Sequence, residues 1–218
     1  MCIFCCTFAR IIVNMSTKRE IKWFIGVALV FLLSACNAVK FVPQGQYLLN
    51  DVKVKVEDTK EVLGTDLMKY VQQKENTEIL GFWKLQLGIY NTASLDTAKW
   101  TSKNARKIGE APVIFSEDLV ESSCTHLQRA MHNKGYFRAT VDTATHAKDR
   151  KVNLQYIITA NQPYTLRQYT IVLPHSELNN IAHNRRQSLV RPGMQYDADV
   201  LNQERQRVAS AMRRRGYF

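Results

Sequence analysis

The chain has 218 residues, with 30 Lys+Arg against 19 Asp+Glu and five Cys. That length holds one ordinary domain or two small ones, and a composition 45% hydrophobic and 22% charged excludes a disordered or collagen-like chain. Only one apolar stretch approaches membrane length, which excludes a multi-span membrane protein. Of the formal charge of +11, residues 1–35 supply +3 (Arg10, Lys18, Arg19 and Lys22 against Glu20) and leave a moderately basic +8.

From Met15 a basic stretch, Lys18-Arg19-Glu20-Ile21-Lys22, leads into eleven apolar residues, Trp23–Leu33, and then Ser34-Ala35-Cys36. A positive start, a short apolar core and small residues before a cut describe a secretory signal peptide. Eleven residues are too few for a bilayer span, which needs about 20. Residues 1–14 fit no part of this pattern. Cys2, Cys5 and Cys6 lack a second ligand pair that would make a metal or redox cluster, and the segment reads as a start-site artefact ahead of Met15. Cys124 is then left without a disulfide partner, and its place in an amphipathic helix predicts a buried, inert thiol.

Residues 36–46 read as a tether. Val52, Val54 and Val56 alternate with Lys53, Lys55 and Glu57 and predict a strand. Thr65 is placed to cap a helix carrying Leu67, Met68 and Val71. Residues 79–90 suit a strand or a helix equally; Phe82, Trp83 and Tyr90 are expected to pack, because no basic amphipathic face is evident beside them. After a polar loop, Ser116 opens a helix with Leu119, Val120, Leu127, Ala130 and Met131 on its buried side, and Gly135 stops it. Phe137, Ala139 and Val141 predict a second strand, and Val152, Leu154, Tyr156 and Ile158 a third, across an Asp149-Arg150 turn. The order begins again with a strand at 164–173, a helix from Ser176 and a helix over 197–215 ended by Gly216.

A constant offset of 81 lays Phe115 on Tyr196, Ser116 on Asp197, Leu127 on Val208, Ala130-Met131 on Ala211-Met212 and Gly135-Tyr136-Phe137 on Gly216-Tyr217-Phe218. Self-similarity at a fixed period signals an array of like modules.

These residues resemble a known family. The ending Leu33-Ser34-Ala35-Cys36 resembles the lipobox of bacterial lipoproteins, in which the Cys is acylated. Asn133-Lys134-Gly135-Tyr136-Phe137 and Arg214-Arg215-Gly216-Tyr217-Phe218, each closing the second helix of a β-α-α-β-β module, resemble the POTRA domain of BamA/TamA outer-membrane assembly factors. Phe41–Leu49 and Leu80–Leu85 are similar to the lipidated TamA-like branch of Bacteroidetes. The resemblance implies an α+β fold of tandem modules, each with two helices on a three-stranded mixed sheet in the order one-three-two. It places the first module at 47–164 with an insert at 76–112, and the second, incomplete, at 165–218. Its hairpin and the family's barrel are missing, so a truncated chain is expected, with Leu201, Val208 and Met212 exposed or covered by the first module.

The implied function is the periplasmic portion of an outer-membrane assembly or translocation factor. It would be anchored through Cys36 and bind unfolded outer-membrane proteins, or a TamB-like partner, by β-augmentation. The implied edge is Tyr136, Phe137, Arg138, Ala139, Thr140, Val141, Asp142 and Thr143. A stand-alone envelope lipoprotein scaffold stays open as a second reading. Nucleic-acid binding is set aside on the export signal. No cofactor is implied, and the scattered His126, His132, His146, His175 and His183 support neither a metal site nor catalysis.

Overall fold

The computed structural model describes residues 38–78, 84–93, 100–172, 179 and 187–217. In chain order the described elements are β1 (Leu48–Glu57), α1 (Gly64–Leu67) with a 3₁₀ turn (Met68–Tyr70), α2 (Leu85–Thr92), α3 (Trp100–Ile108), α4 (Glu117–Asn133), β2 (Thr140–Lys148), β3 (Lys151–Thr159) and α5 (Ala198–Arg213). They fall into two compact units, Met1–Phe41 with Asn76–Pro112, and Val42–Glu75 with Val113–Phe218. Cys36, Phe82, Trp83 and most of the helix expected from Ser176 lie outside the described residues.

The second of these units holds a three-stranded mixed sheet in the order β1-β3-β2, an α+β module with its helices on one face. β3 is central, parallel to β1 and antiparallel to β2. Asp149 and Arg150 link β2 to β3 with φ of 51° and 60°. Two left-handed residues match the twist of a tight hairpin. The parallel pair needs a long crossover, which α1 and α4 supply. Along β3, Val152, Leu154, Tyr156 and Ile158 are buried while Asn153 is exposed, the alternation expected of a sheet covered on one face. Against them pack Leu49 and Val52 of β1, Leu67, Val71, and Val120, Leu127, Ala130 and Met131 of α4. A bulge between Leu49 and Asp51 resets the pleat, so Leu49 and Val52, three residues apart, face the same core beside Val152 and Leu154 of β3.

Several expectations are corrected. The first helix is a single turn followed by 3₁₀ geometry, and Val71 is already extended; Thr65 lies within the turn and does not cap it. Leu119 faces outward at 40% exposure, because the buried stripe runs through Val120, Ser123, Leu127 and Ala130. The ambiguous 79–90 stretch is helical from Leu85 onward. Residues 100–108, read from the sequence as polar loop, form α3. The stretch from Tyr164 to Val172 forms no strand; Thr165 makes one isolated bridge to Gln195, and among the described residues the stretch has no long partner such as β3 gives β1.

The repeat is visible in the hydrogen bonds. After α4, Tyr136 N donates to Met131 O and Gly135 N to His132 O; after α5, Tyr217 N donates to Met212 O and Gly216 N to Arg213 O. Both ends are Schellman caps with a left-handed Gly, at φ 91° and 85°. At the other end of each module, Leu49 N donates to Val113 O and Phe115 N to Tyr47 O, while Leu166 N donates to Met194 O and Tyr196 N to Tyr164 O. The segment Val113–Phe115 maps onto Met194–Tyr196 at the offset of 81, but the opposing segment follows 117 (Tyr47 on Tyr164). The difference of 36 matches, within one residue, the stretch Asn76–Pro112 that belongs to the other unit. A third pair obeys both offsets: Gln72 N donates to Ser123 Oγ at 3.0 Å, and Leu189 N to Glu204 Oε2 at 3.0 Å.

The other unit is a helical hairpin. Asn76 Nδ2 donates to Ala111 O at 2.7 Å and Thr77 N to Glu110 Oε2 at 2.9 Å, which closes its base. Gly109 lets α2 and the end of α3 meet at backbone distance; a Cβ there would lie 2.5 Å from Tyr90 N. Residues 38–41 are strapped to this hairpin. Lys40 Nζ donates to Asn91 O and Ala93 O at 2.9 and 2.7 Å, and Asn91 Nδ2 to Ala38 O at 3.3 Å. Phe41 meets Tyr90 edge-on at 5.3 Å and lies beneath the Arg106 guanidinium at 5.3 Å.

Candidate functional site

β2 is an edge strand, and its outer side carries unpaired backbone. A two-residue hairpin closes on a hydrogen-bonded pair, here Lys148 and Lys151. Antiparallel pairing then alternates, so Thr140, Asp142, Ala144 and His146 bond to β3 while Val141, Thr143, Thr145 and Ala147 turn their amides and carbonyls outward. None of these is taken up by another described segment. Their side chains lie on the same face as their partners Ile158, Tyr156, Leu154 and Val152, which are buried. Yet Thr143, Thr145 and Ala147 are exposed, whereas Val141 at the start of the strand packs against the core. The result is a shallow, small-residue shelf beside a row of free donors and acceptors. The strand has no Pro or bulge to block pairing, the usual protection of an edge.

The eight residues expected at the edge divide. Thr140, Val141, Asp142 and Thr143 lie in β2, which continues to Lys148. Tyr136, Phe137, Arg138 and Ala139 precede it. Tyr136 is fully buried, with its hydroxyl donating to Glu61 Oε2 at 3.1 Å, and Ala139 is 2% exposed. Phe137 belongs to a joint between the repeats, T-shaped against Tyr164 at 5.4 Å and tilted against Tyr196 at 5.1 Å. Around it Tyr164 N donates to Gly135 O at 2.9 Å, and Gln195 Nε2 to Lys134 O at 2.8 Å. Gly135 is required twice over, by its left-handed φ and because a Cβ would lie 2.6 Å from Tyr196 O. The doubled aromatic-plus-Gly pattern marked this region in the sequence; Gln195 carried no signal of its own.

Cys124 is half-buried in α4, and its thiol is pushed up by burial and by the charge of Asp142, which disfavours the reactive thiolate. Among the described residues no cluster of His, Cys, Asp and Glu could hold a metal ion, and no helix is long and apolar enough to cross a membrane. Val208 is buried at 7% exposure, while Leu201 and Met212 are half-buried.

Close to Val208, Glu204 is 4% exposed and accepts from Ser188 Oγ, Leu189 N, and Arg207 Nε and Nη2, all within 3.0 Å. The hydrogen bonds from Arg207 are the main reason its pKa falls to about 2; burial opposes them, and Leu189 and Ser188 assist. A carboxyl depressed in the folded state contributes its stability fully above its unfolded pKa near 4.5 and loses it as pH falls toward 2. That contribution is about 3 kcal/mol for this shift. Melting temperature measured from pH 6 to 2 is expected to drop across that window, and Glu204→Gln to start lower and flatten the drop.

The fold and edge define a class, a small α+β module of two helices on a three-stranded mixed sheet with one strand open. No protein-family profile matches the chain, and no curated protein does. Among solved structures it is similar to POTRA3-5 of BamA from Haemophilus influenzae, at 11% identity over 82% of this chain and 90% of that one, with a TM-score of 0.27. It is also similar to POTRA1-2 of the periplasmic domain of Omp85 from Anabaena, at 14% identity over 79% and 81%, with a TM-score of 0.31.

Proposed function

We propose that the chain is the periplasmic POTRA portion of an outer-membrane protein assembly or translocation factor. It is held at the membrane by acylated Cys36 and binds unfolded client strands, or a TamB-like partner, by β-augmentation. One observation carries the reading: the outward backbone of Val141, Thr143, Thr145 and Ala147 along an unblocked edge. A barrel strand in transit has variable side chains and a constant backbone. Pairing through the main chain therefore recognises the class without demanding a sequence. The shelf of Thr143, Thr145 and Ala147 leaves room for alternate client side chains of any size. The Gly-Tyr-Phe repeat and the order of elements support the same family.

The test places proline on an outward amide. Thr143→Pro removes one free donor without touching the ladder to β3, whereas Asp142→Pro would break that ladder. With a photo-reactive residue at His146, cross-linking to nascent outer-membrane proteins is expected to fall roughly tenfold in Thr143→Pro, a lost bond near 1 kcal/mol plus the clash of the ring. Undiminished cross-linking in a folded variant refutes augmentation at this edge.

A further inference from the structure

We infer that the exposed side of α3, formed by Trp100, Lys103, Lys107 and Ile108, rests on an anionic phospholipid surface. The inference builds on the proposed acylation of Cys36. Positions 100, 103, 107 and 108 share one side of an α-helix. All four are exposed, Trp100 at 75% and Ile108 at 66%. The opposite side, through Ser102 and Arg106, is turned inward, Ser102 at 1% exposure and Arg106 over Phe41. The helix carries Lys103, Arg106 and Lys107 and no carboxylate. An outward Trp and Ile bracketing two lysines is the composition of an interfacial helix. This is the basic amphipathic face that the sequence did not reveal next to the aromatic insert.

Position makes the occupant specific. Ala38 and Lys40 are hydrogen-bonded to this same helical hairpin, and Phe41 is packed into it. From Cys36 to Ala38 the chain can extend at most about 7 Å. Acyl chains on Cys36 would therefore hold the hairpin at headgroup level, where each Lys near an anionic surface gains about fivefold in partition. A soluble partner would have to compete with a surface already in contact.

The test uses the exported chain from Cys36 onward, with Cys36→Ser to remove the acyl site and Trp83→Phe to leave Trp100 as its one Trp. Partition is measured on vesicles of phosphatidylcholine alone and of phosphatidylcholine with one-quarter phosphatidylglycerol, with brominated lipid as quencher. Trp100 emission is expected to shift blue and be quenched on the anionic vesicles only. Lys103→Ala with Lys107→Ala is expected to lower partition about 25-fold, at fivefold for each lysine. Equal partition on both vesicle types, no quenching, or an unaffected double variant overturns the inference. Palmitate-analogue labelling of the chain with Cys36 intact, with Cys36→Ala as control, reports the anchor separately. Label without vesicle partition sinks the lipid-facing side and spares the anchor. Partition without label supports that side and sinks the anchor.

Discussion

Gly64→Ala is expected to destabilise the sheet-bearing unit by about 3 kcal/mol or more, at the upper end of overpacking effects. A Cβ at Gly64 would lie 1.9 Å from Val54 O and 2.9 Å from its carbonyl carbon. Both atoms are backbone of β1, a strand pinned along its length to β3. No rotamer relieves such a clash, so either α1 lifts off the sheet or β1 shifts against its partner. Lifting α1 withdraws Leu67, which is fully buried in the core. The control is Gly88→Ala, in the middle of α2 with nothing within 4 Å of the new methyl. There alanine should gain roughly 0.5–1 kcal/mol from helix propensity. Urea unfolding of the two variants checks both; a Gly64→Ala midpoint equal to that of the parent would mean that α1 does not seat on β1 at this distance.

Tyr136→Ala carries the second large effect, about 3–5 kcal/mol by analogy with other buried aromatic truncations. Tyr136 follows the Schellman glycine, and it and Met131 are fully buried in the same core cluster. Its hydroxyl reaches Glu61 at 3.1 Å and Thr59 at 3.3 Å, which ties the start of the crossover to the end of α4. Tyr136→Phe isolates the hydroxyl and is expected to cost only about 1 kcal/mol. A small loss for Tyr136→Ala together with reduced cross-linking at the edge would instead return Tyr136 to the binding surface, where the sequence had placed it. Thermal unfolding of the two variants separates a core role from a surface one.

Much of the module was legible because its signals are local. The Val-Lys-Val alternation of β1, the apolar stripe and glycine stop of α4, and the alternation of β3 each sit within fewer than twenty residues. What escaped depends on distant partners. Tyr136 reads as the start of a strand until the Schellman cap turns it inward, and the edge moves to Thr140–Lys148. Residues 164–172 have the composition of a strand, but among the described residues their sheet-like pairing is confined to the short contact of Tyr164–Leu166 with residues 193–196. α3 went unseen because its large apolar residues, Trp100 and Ile108, point outward and leave no buried period. The second offset of 117 was hidden for another reason. A fixed-period comparison cannot survive an insertion, whereas hydrogen bonds such as Leu49–Val113 and Leu166–Met194 are indifferent to it.

The parallel pairing of β1 with β3 also sets a schedule. Leu48 leaves the ribosome roughly a hundred residues before Lys151, its neighbour in the sheet. At about 5–20 residues per second the first strand waits on the order of 5–20 s for that neighbour to be made. During that interval it is a valine-rich ribbon with both borders open, the kind of segment that joins other nascent chains. The surface pairs that Lys53 and Lys55 make with Asp51 and Glu57 in the finished sheet contribute little. The value of the two lysines lies earlier, as charges that keep a strand solitary until its own mate is translated.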